Sequence, residues 1–211
     1  MIKRLGLPVA STVLAVALTG VAGASVQQEH AAPRPSTATD DNFNPGRNHR
    51  VLDPLVGTWK AMKTNYVLGG DQPVVSRDLT IKVRWIARTG DRFLQEETQG
   101  TLAGSRYYRL GVLGFSNIDR RYEWTTFDSV TPVAMTYRGA PVTGVASTLS
   151  IPGEFTDPGL LGPAYLGKTI PMRTVITIRA NGRHTFDLYF TPPGQAERLA
   201  DRVTYTRKIK Q

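Results

Sequence analysis

The sequence predicts an all-β fold of about ten antiparallel strands in a single domain. From Gly57 onward, apolar and polar residues alternate with a period of two over run after run. Clusters of Gly, Asn, Asp and Pro break these runs at short intervals, as antiparallel connections require. Ten such strands joined by short turns leave two architectures, a closed up-and-down barrel or a sandwich.

The chain begins with a segment of a different kind. Met1 to Arg4 is basic, Leu5 to Val21 is apolar, and Ala22-Gly23-Ala24 supplies small residues for cleavage. This pattern predicts a signal peptide over residues 1–24, cut after Ala24, and export to the periplasm or beyond. Pro8, the modest apolar length and the small-residue exit argue against a retained anchor. Residues 25–47 are polar, with Pro33, Pro35 and Pro45, and predict a disordered linker that cannot bury enough surface to offset its ordering entropy. The barrel domain is expected over residues 48–211. The chain has no cysteine, which excludes disulfides, a lipid-modified cysteine, a thiolate nucleophile and Cys-ligated zinc.

Cleavage removes Lys3 and Arg4 and takes the formal charge from +9 to +7. That balance favours anionic partners, including components of the cell envelope. Nucleic acid is not expected, because the basic residues are spread over nearly every strand instead of clustering. No motif sets an oligomeric state.

Taken in order, Asn48 to Leu55 predicts one helical turn, with Asn48 as its cap and Val51, Leu52 and Leu55 at helical spacing. The first strand starts at Gly57. The clearest strand is Leu79–Trp85, where Leu79, Ile81, Val83 and Trp85 face one way and Thr80, Lys82 and Arg84 the other. Further strands are expected at Arg92–Gly100, Arg106–Phe115, Tyr122–Phe127, Val133–Tyr137, Val145–Ile151, Met172–Arg179, Arg183–Phe190 and Ala196–Lys208. Asn181-Gly182 is the strongest hairpin signal, since both central residues of its turn need positive φ. Pro152 to Pro171, rich in Gly and Pro, predicts a long connection; it reads equally as a flap over a barrel mouth and as an inert insertion.

The two ends of the domain carry matching features. In "LVGTWK", Gly57 allows close backbone approach and Trp59 can plug the end of a barrel. In "VTYTRK", alternation puts Arg207 on the face of Val203 and Tyr205, pointing inward, where an indole is a suitable partner for a guanidinium. First and last strands adjoin when a meander closes, so Trp59 and Arg207 are expected to form a latch. This favours the barrel.

This pairing resembles the calycin superfamily, in which lipocalins and fatty-acid-binding proteins set a last-strand arginine over a first-strand tryptophan. More of the chain resembles a bacterial family catalogued as domain of unknown function 1579, through "LVGTW", "GDRFLQEETQGTLAG", "LGVLGFSNIDRRYEWTTFDS" and "RVTYTRK". These cover most of Leu52 to Lys208. Phe115 stands where that family usually has tyrosine, and the Pro152–Pro171 segment is not explained by the likeness. The resemblance implies a lipocalin-like barrel and brings no reaction with it.

A barrel of this size can hold one small molecule. The candidate lining residues are Tyr122 and Trp124, which share a face; Glu97, grouped with Phe93 and Gln95; Arg109, which alternates with Tyr107, Gly111 and Leu113; and His184, which leads Phe186, Leu188 and Phe190. An inward Arg109 would fix the carboxylate of an amphipathic acid. Against this stands a solvent-facing charge on the outer wall at each polar position. The opening motif is also similar to that of nitrobindins, which implies His184 as a haem ligand; a hydrogen-bonded core histidine is the competing reading. No metal site is expected from three scattered histidines, and no catalytic residue set stands out, since Glu96 and Glu97 point to opposite faces.

The expected role is therefore binding of a small hydrophobic or amphipathic ligand, anionic or not. The alternatives are a barrel enzyme, an isomerase or hydrolase using Glu97 and His184 as acid and base, and a filled barrel that binds an envelope partner through its surface. An interior of a few hundred Å³ favours the first two, and a packed interior favours the third.

Overall fold

Alternation becomes architecture in the computed structural model, which describes residues 42–179 and 182–207. Ten strands follow in chain order: β1 (Gly57–Asn65), β2 (Val74–Trp85), β3 (Phe93–Leu102), β4 (Ser105–Ser116), β5 (Arg121–Asp128), β6 (Met135–Arg138), β7 (Thr148–Thr156), β8 (Thr169–Thr177), β9 (Arg183–Phe190) and β10 (Arg198–Arg207). Each pairs antiparallel with the next, and β1 pairs with β10, so the sheet is a closed up-and-down barrel and not a sandwich. Closure removes the exposed edges that an open sheet of this length would carry.

The closing seam is well made. It runs in unbroken register from Trp59 opposite Arg207 to Asn65 opposite Asp201. The seam between β6 and β7 is much shorter, with only Thr136–Glu154 and Tyr137–Gly153 in register. A bulge in β2 sets two residues, Arg77 and Asp78, against Met62 of β1, and so returns Ser76 to the inner face.

Buried residues mark that face: Trp59, Ala61, Lys63 and Asn65 on β1, Leu79, Ile81 and Val83 on β2, Tyr122, Trp124 and Thr126 on β5. At one pole a short helix, α1 (Arg47–Arg50), and a 3-10 turn (Asp53–Leu55) lie over the barrel end and bury Leu52 and Leu55 in it. This closed pole also gathers the connections β2–β3, β4–β5, β6–β7 and β8–β9. The other five connections surround the open pole.

Three expectations are corrected. The helical turn is capped by Gly46 and not Asn48, because His49 Nδ1 accepts the Gly46 N–H at 3.1 Å. Residues 42–47, expected in the linker, lie on the barrel, where Asn117 Nδ2 donates to the Asn44 carbonyl at 2.8 Å. The long connection shrinks to 157–168, since β7 runs to Thr156 and β8 starts at Thr169. Pro152 lies in a part of β7 that β6 does not cover, where a proline is tolerated in a sheet. Gly182 has φ 72°, as a hairpin turn needs. Asn181, the signal peptide, linker residues 25–41 and Lys208 lie outside the described residues.

Candidate functional site

The closed pole is built from aromatic rings anchored to backbone. Trp59, fully buried, donates from Nε1 to the Leu55 carbonyl at 2.8 Å. His184 meets its ring edge-on at 4.7 Å. His184 Nε2 lies 3.0 Å from the Pro54 carbonyl, which can only accept, so that nitrogen carries the proton. Its Nδ1 accepts the Arg179 N–H at 3.2 Å. Burial lowers the pKa of His184 below its ordinary 6.5, with a lesser rise from the Pro54 hydrogen bond. Arg207 lies over the Trp59 ring at 4.7 Å, so the latch forms. Its side chain is nevertheless exposed, not inward, and covers the indole from the rim. Gly57 takes φ 145° beside this contact; a Cβ there would stand 3.6 Å from Arg207 Nη1, in a backbone conformation that other residues rarely adopt.

The open pole is different in chemistry. Two ion pairs lie inside the wall. Lys63 Nζ contacts Asp201 Oδ2 at 2.8 Å, and Asn65 Nδ2 donates to the other Asp201 oxygen at 2.8 Å. Deeper, Arg109 pairs with Glu96, whose carboxylate also accepts from Thr98 and, at 3.2 Å, from the Tyr205 hydroxyl. Aromatic faces carry both cations: Lys63 over Tyr107 at 5.2 Å and Arg109 over Trp124 at 5.3 Å. A Cβ at Gly111 would stand 2.8 Å from Trp124 Nε1, so that glycine makes the room in which the indole lies.

Burial alone would lower the Lys63 pKa, but Asp201 and Tyr107 more than offset it and lift the value to about 12. Arg109 is held well above its ordinary value in the same way: burial opposes, and Glu96 outweighs it. Tyr205 is pushed far up by burial and then by the Glu96 charge. Lys63, Arg109 and Tyr205 therefore stay protonated near neutrality. Arg109 Nε is buried without a hydrogen-bond partner.

Above these pairs is a pocket with about 40 Å³ of free volume. Lys63, Arg109, Asp128 and Asp201 form its polar floor, and Leu102, Met135, Leu160 and Phe190 its apolar collar. Leu160 belongs to the 157–168 connection, which buried Asp157 ties down by accepting the N–H groups of Gly159, Leu160 and Leu161. Two further voids inside the wall measure about 10 and 20 Å³. Among the described residues these voids fall far below the few hundred Å³ that an enclosed ligand needs, which counts against the expected ligand in the barrel interior and toward a filled barrel. A larger hollow, about 350 Å³, lies between the 139–147 connection and β7, lined by small uncharged residues and Tyr122.

Of the residues expected to line the interior, Arg109, Trp124, Tyr122 and His184 face in. Tyr122 sits toward the closed pole, its hydroxyl donating to the Asn48 carbonyl at 2.9 Å. Glu97 does not face in. It lies on the outer wall, 3.7 Å from Arg84, and Glu96 takes the inward place with Leu94 and Thr98. His184 and Glu97 are therefore on opposite sides of the wall, which removes the acid–base pair on which the enzyme reading was built. His184 also does not fit an iron ligand, since backbone groups occupy both ring nitrogens. The sequence reading missed Lys63 and Asp201, although both share parity with the inward residues Trp59–Ala61 and Val203–Tyr205. It also missed His49, which is buried against Phe115 in an edge-on contact at 5.7 Å.

Among the described residues, no group of three or more His, Cys, Asp or Glu side chains could hold a metal ion. Residues 44–207 match a protein family described as protein of unknown function (DUF1579). A search of curated proteins finds no match.

Proposed function

Since the chain belongs to the DUF1579 family, whose description names no reaction, we propose from the geometry that the open pole binds a small amphipathic molecule. Its polar head would meet the floor of Arg109 and Lys63, and its apolar part the collar of Leu102, Leu160 and Phe190. One observation carries this reading: four charged side chains are kept inside the wall with one guanidinium donor unmatched. Buried ion pairs are seldom a source of net stability, so their retention points to use. With Asp128 beside them, Glu96 and Asp201 more than balance the two cations, so the floor does not demand an anion. Arg109 Nε is buried and unmatched, so a head group that displaced its surroundings and reached it would satisfy a donor the protein leaves open.

The pocket has room for water-sized groups only, so a chain-like tail running down the barrel axis is disfavoured. A ligand larger than that needs the 157–168 connection to lift and carry Leu160 away. The hollow at 139–147 is larger but offers no charged group to fix a polar head. Native mass spectrometry of the purified protein tests the reading, together with titration by octanoate and by octanol while tryptophan fluorescence, to which Trp124 contributes, is followed. A retained small molecule, or saturable quenching lost in Arg109→Gln, is expected. No retained species and no response to either probe would overturn it.

A further inference from the structure

The two poles differ in charge as well as in packing. The segments at the closed pole (42–56, 86–92, 117–120, 139–147 and 178–182) carry Arg47, Arg50, Arg88, Arg92, Arg120 and Arg179 against Asp53, Asp91 and Asp119, a formal +3. All six arginines are exposed; strand ends add exposed Arg138 and Arg207 at this pole, and Arg106 and Arg198 at the other. The open-pole connections (66–73, 103–104, 129–134, 157–168 and 191–197) carry Lys168 against Asp71, Asp157 and Glu197, a formal −2. A domain polarised in this way turns its basic end toward any negatively charged surface.

Exposed apolar side chains stand at both poles, so they do not choose between them. At the closed pole they are Phe43, 62% exposed, and Ile118, 73% exposed, with Val145 in the next connection. The backbone of Asn42 and Asn44 is held to Asn117, so Phe43 and Ile118 belong to one locally bonded patch. Apolar prongs amid arginines suit the headgroup layer of a bilayer, where the rings and methyls enter and the guanidiniums pair with phosphates.

We propose that the closed pole docks on a bilayer containing anionic lipid, with Phe43 and Ile118 in the headgroup layer and the open mouth turned to solvent. The contact we propose is peripheral; among the described residues no helix is long and apolar enough to cross a membrane. It stands independently of what the open pole binds.

Co-sedimentation with vesicles tests it, using phosphatidylglycerol with phosphatidylethanolamine against phosphatidylcholine alone. The protein, produced from the full chain, is expected to bind the anionic vesicles only, and to be released by salt. Arg47→Gln with Arg88→Gln should weaken binding roughly fivefold for each arginine removed, with unchanged thermal unfolding. Lys168→Gln at the open pole should bind as the parent does. Orientation is read from two single variants, Ile118→Trp and Leu166→Trp, with brominated lipids: quenching beyond that of the parent, whose Trp85 already lies at the closed pole, is expected in the first and not the second. Equal binding to both vesicles, undiminished binding by the double variant, or quenching of Leu166→Trp alone would overturn the proposal. So would retention by a soluble anionic polysaccharide with no vesicle binding, which would assign the face to a polymer.

Discussion

At the closed pole the buried polar side chains answer to backbone: Trp59 to Leu55, His184 to Pro54 and Arg179, His49 to Gly46. At the open pole the buried charges answer to one another, Lys63 to Asp201 and Arg109 to Glu96. A ring tied to a carbonyl keeps its full apolar burial and adds a satisfied hydrogen bond, so the first arrangement stabilises the barrel. Two charges brought in from water spend most of their attraction on desolvation. One end is thus built for stability, and the other holds polar groups at little net gain.

Removing the central ring of the closed pole should have the largest effect. Trp59→Ala is expected to destabilise by about 3–5 kcal/mol, as for other buried large aromatics, measured by urea unfolding. Next comes the open pole, attacked from one side. Asp201→Ala leaves Lys63 charged and alone and should cost about 3 kcal/mol. The double change Lys63→Met with Asp201→Leu should recover most or all of that loss. If the double variant is as unstable as the single, the contrast between the poles is wrong.

A smaller effect comes from pH. The folded pKa of His184 lies below its ordinary 6.5, and that of His49 also, so between the two values the unfolded chain binds more protons. This stability is fully present above 6.5 and is lost as pH falls through the folded values. The urea midpoint should therefore drop between about pH 7.5 and about pH 5.5, and His184→Gln should flatten the drop. The smallest change is expected at the rim: Arg207→Gln gives up an exposed cation–π contact of about 0.5–1 kcal/mol, read as a slight fall in thermal midpoint.

The ten strands and the latch were legible because period-two alternation and a terminal Trp–Arg pairing are local or nearly local signals. The site was less so. Phe93 suggested that its own face of β3 was inward, and Glu97 was placed with it. In the barrel Phe93 is 39% exposed and lies outside on Gly114, its cross-strand partner, so the whole strand has the opposite phase. An aromatic ring can cover a glycine on the outer wall as well as fill a core, and the sequence does not distinguish the two. Lys63 and Asp201 were hidden for another reason. Charge argues for the outer wall, and only the partner 138 residues away makes the inner place tolerable.

The short β6 has a consequence for traffic. With only two residue pairs holding it to β7, the cylinder has a side joint that parts more cheaply than the long seam between β1 and β10. Amide hydrogens along that joint should exchange with solvent sooner than those on the far wall. Should the charged floor hold a molecule as proposed above, this joint offers it a lateral route besides the one that lifts the 157–168 connection.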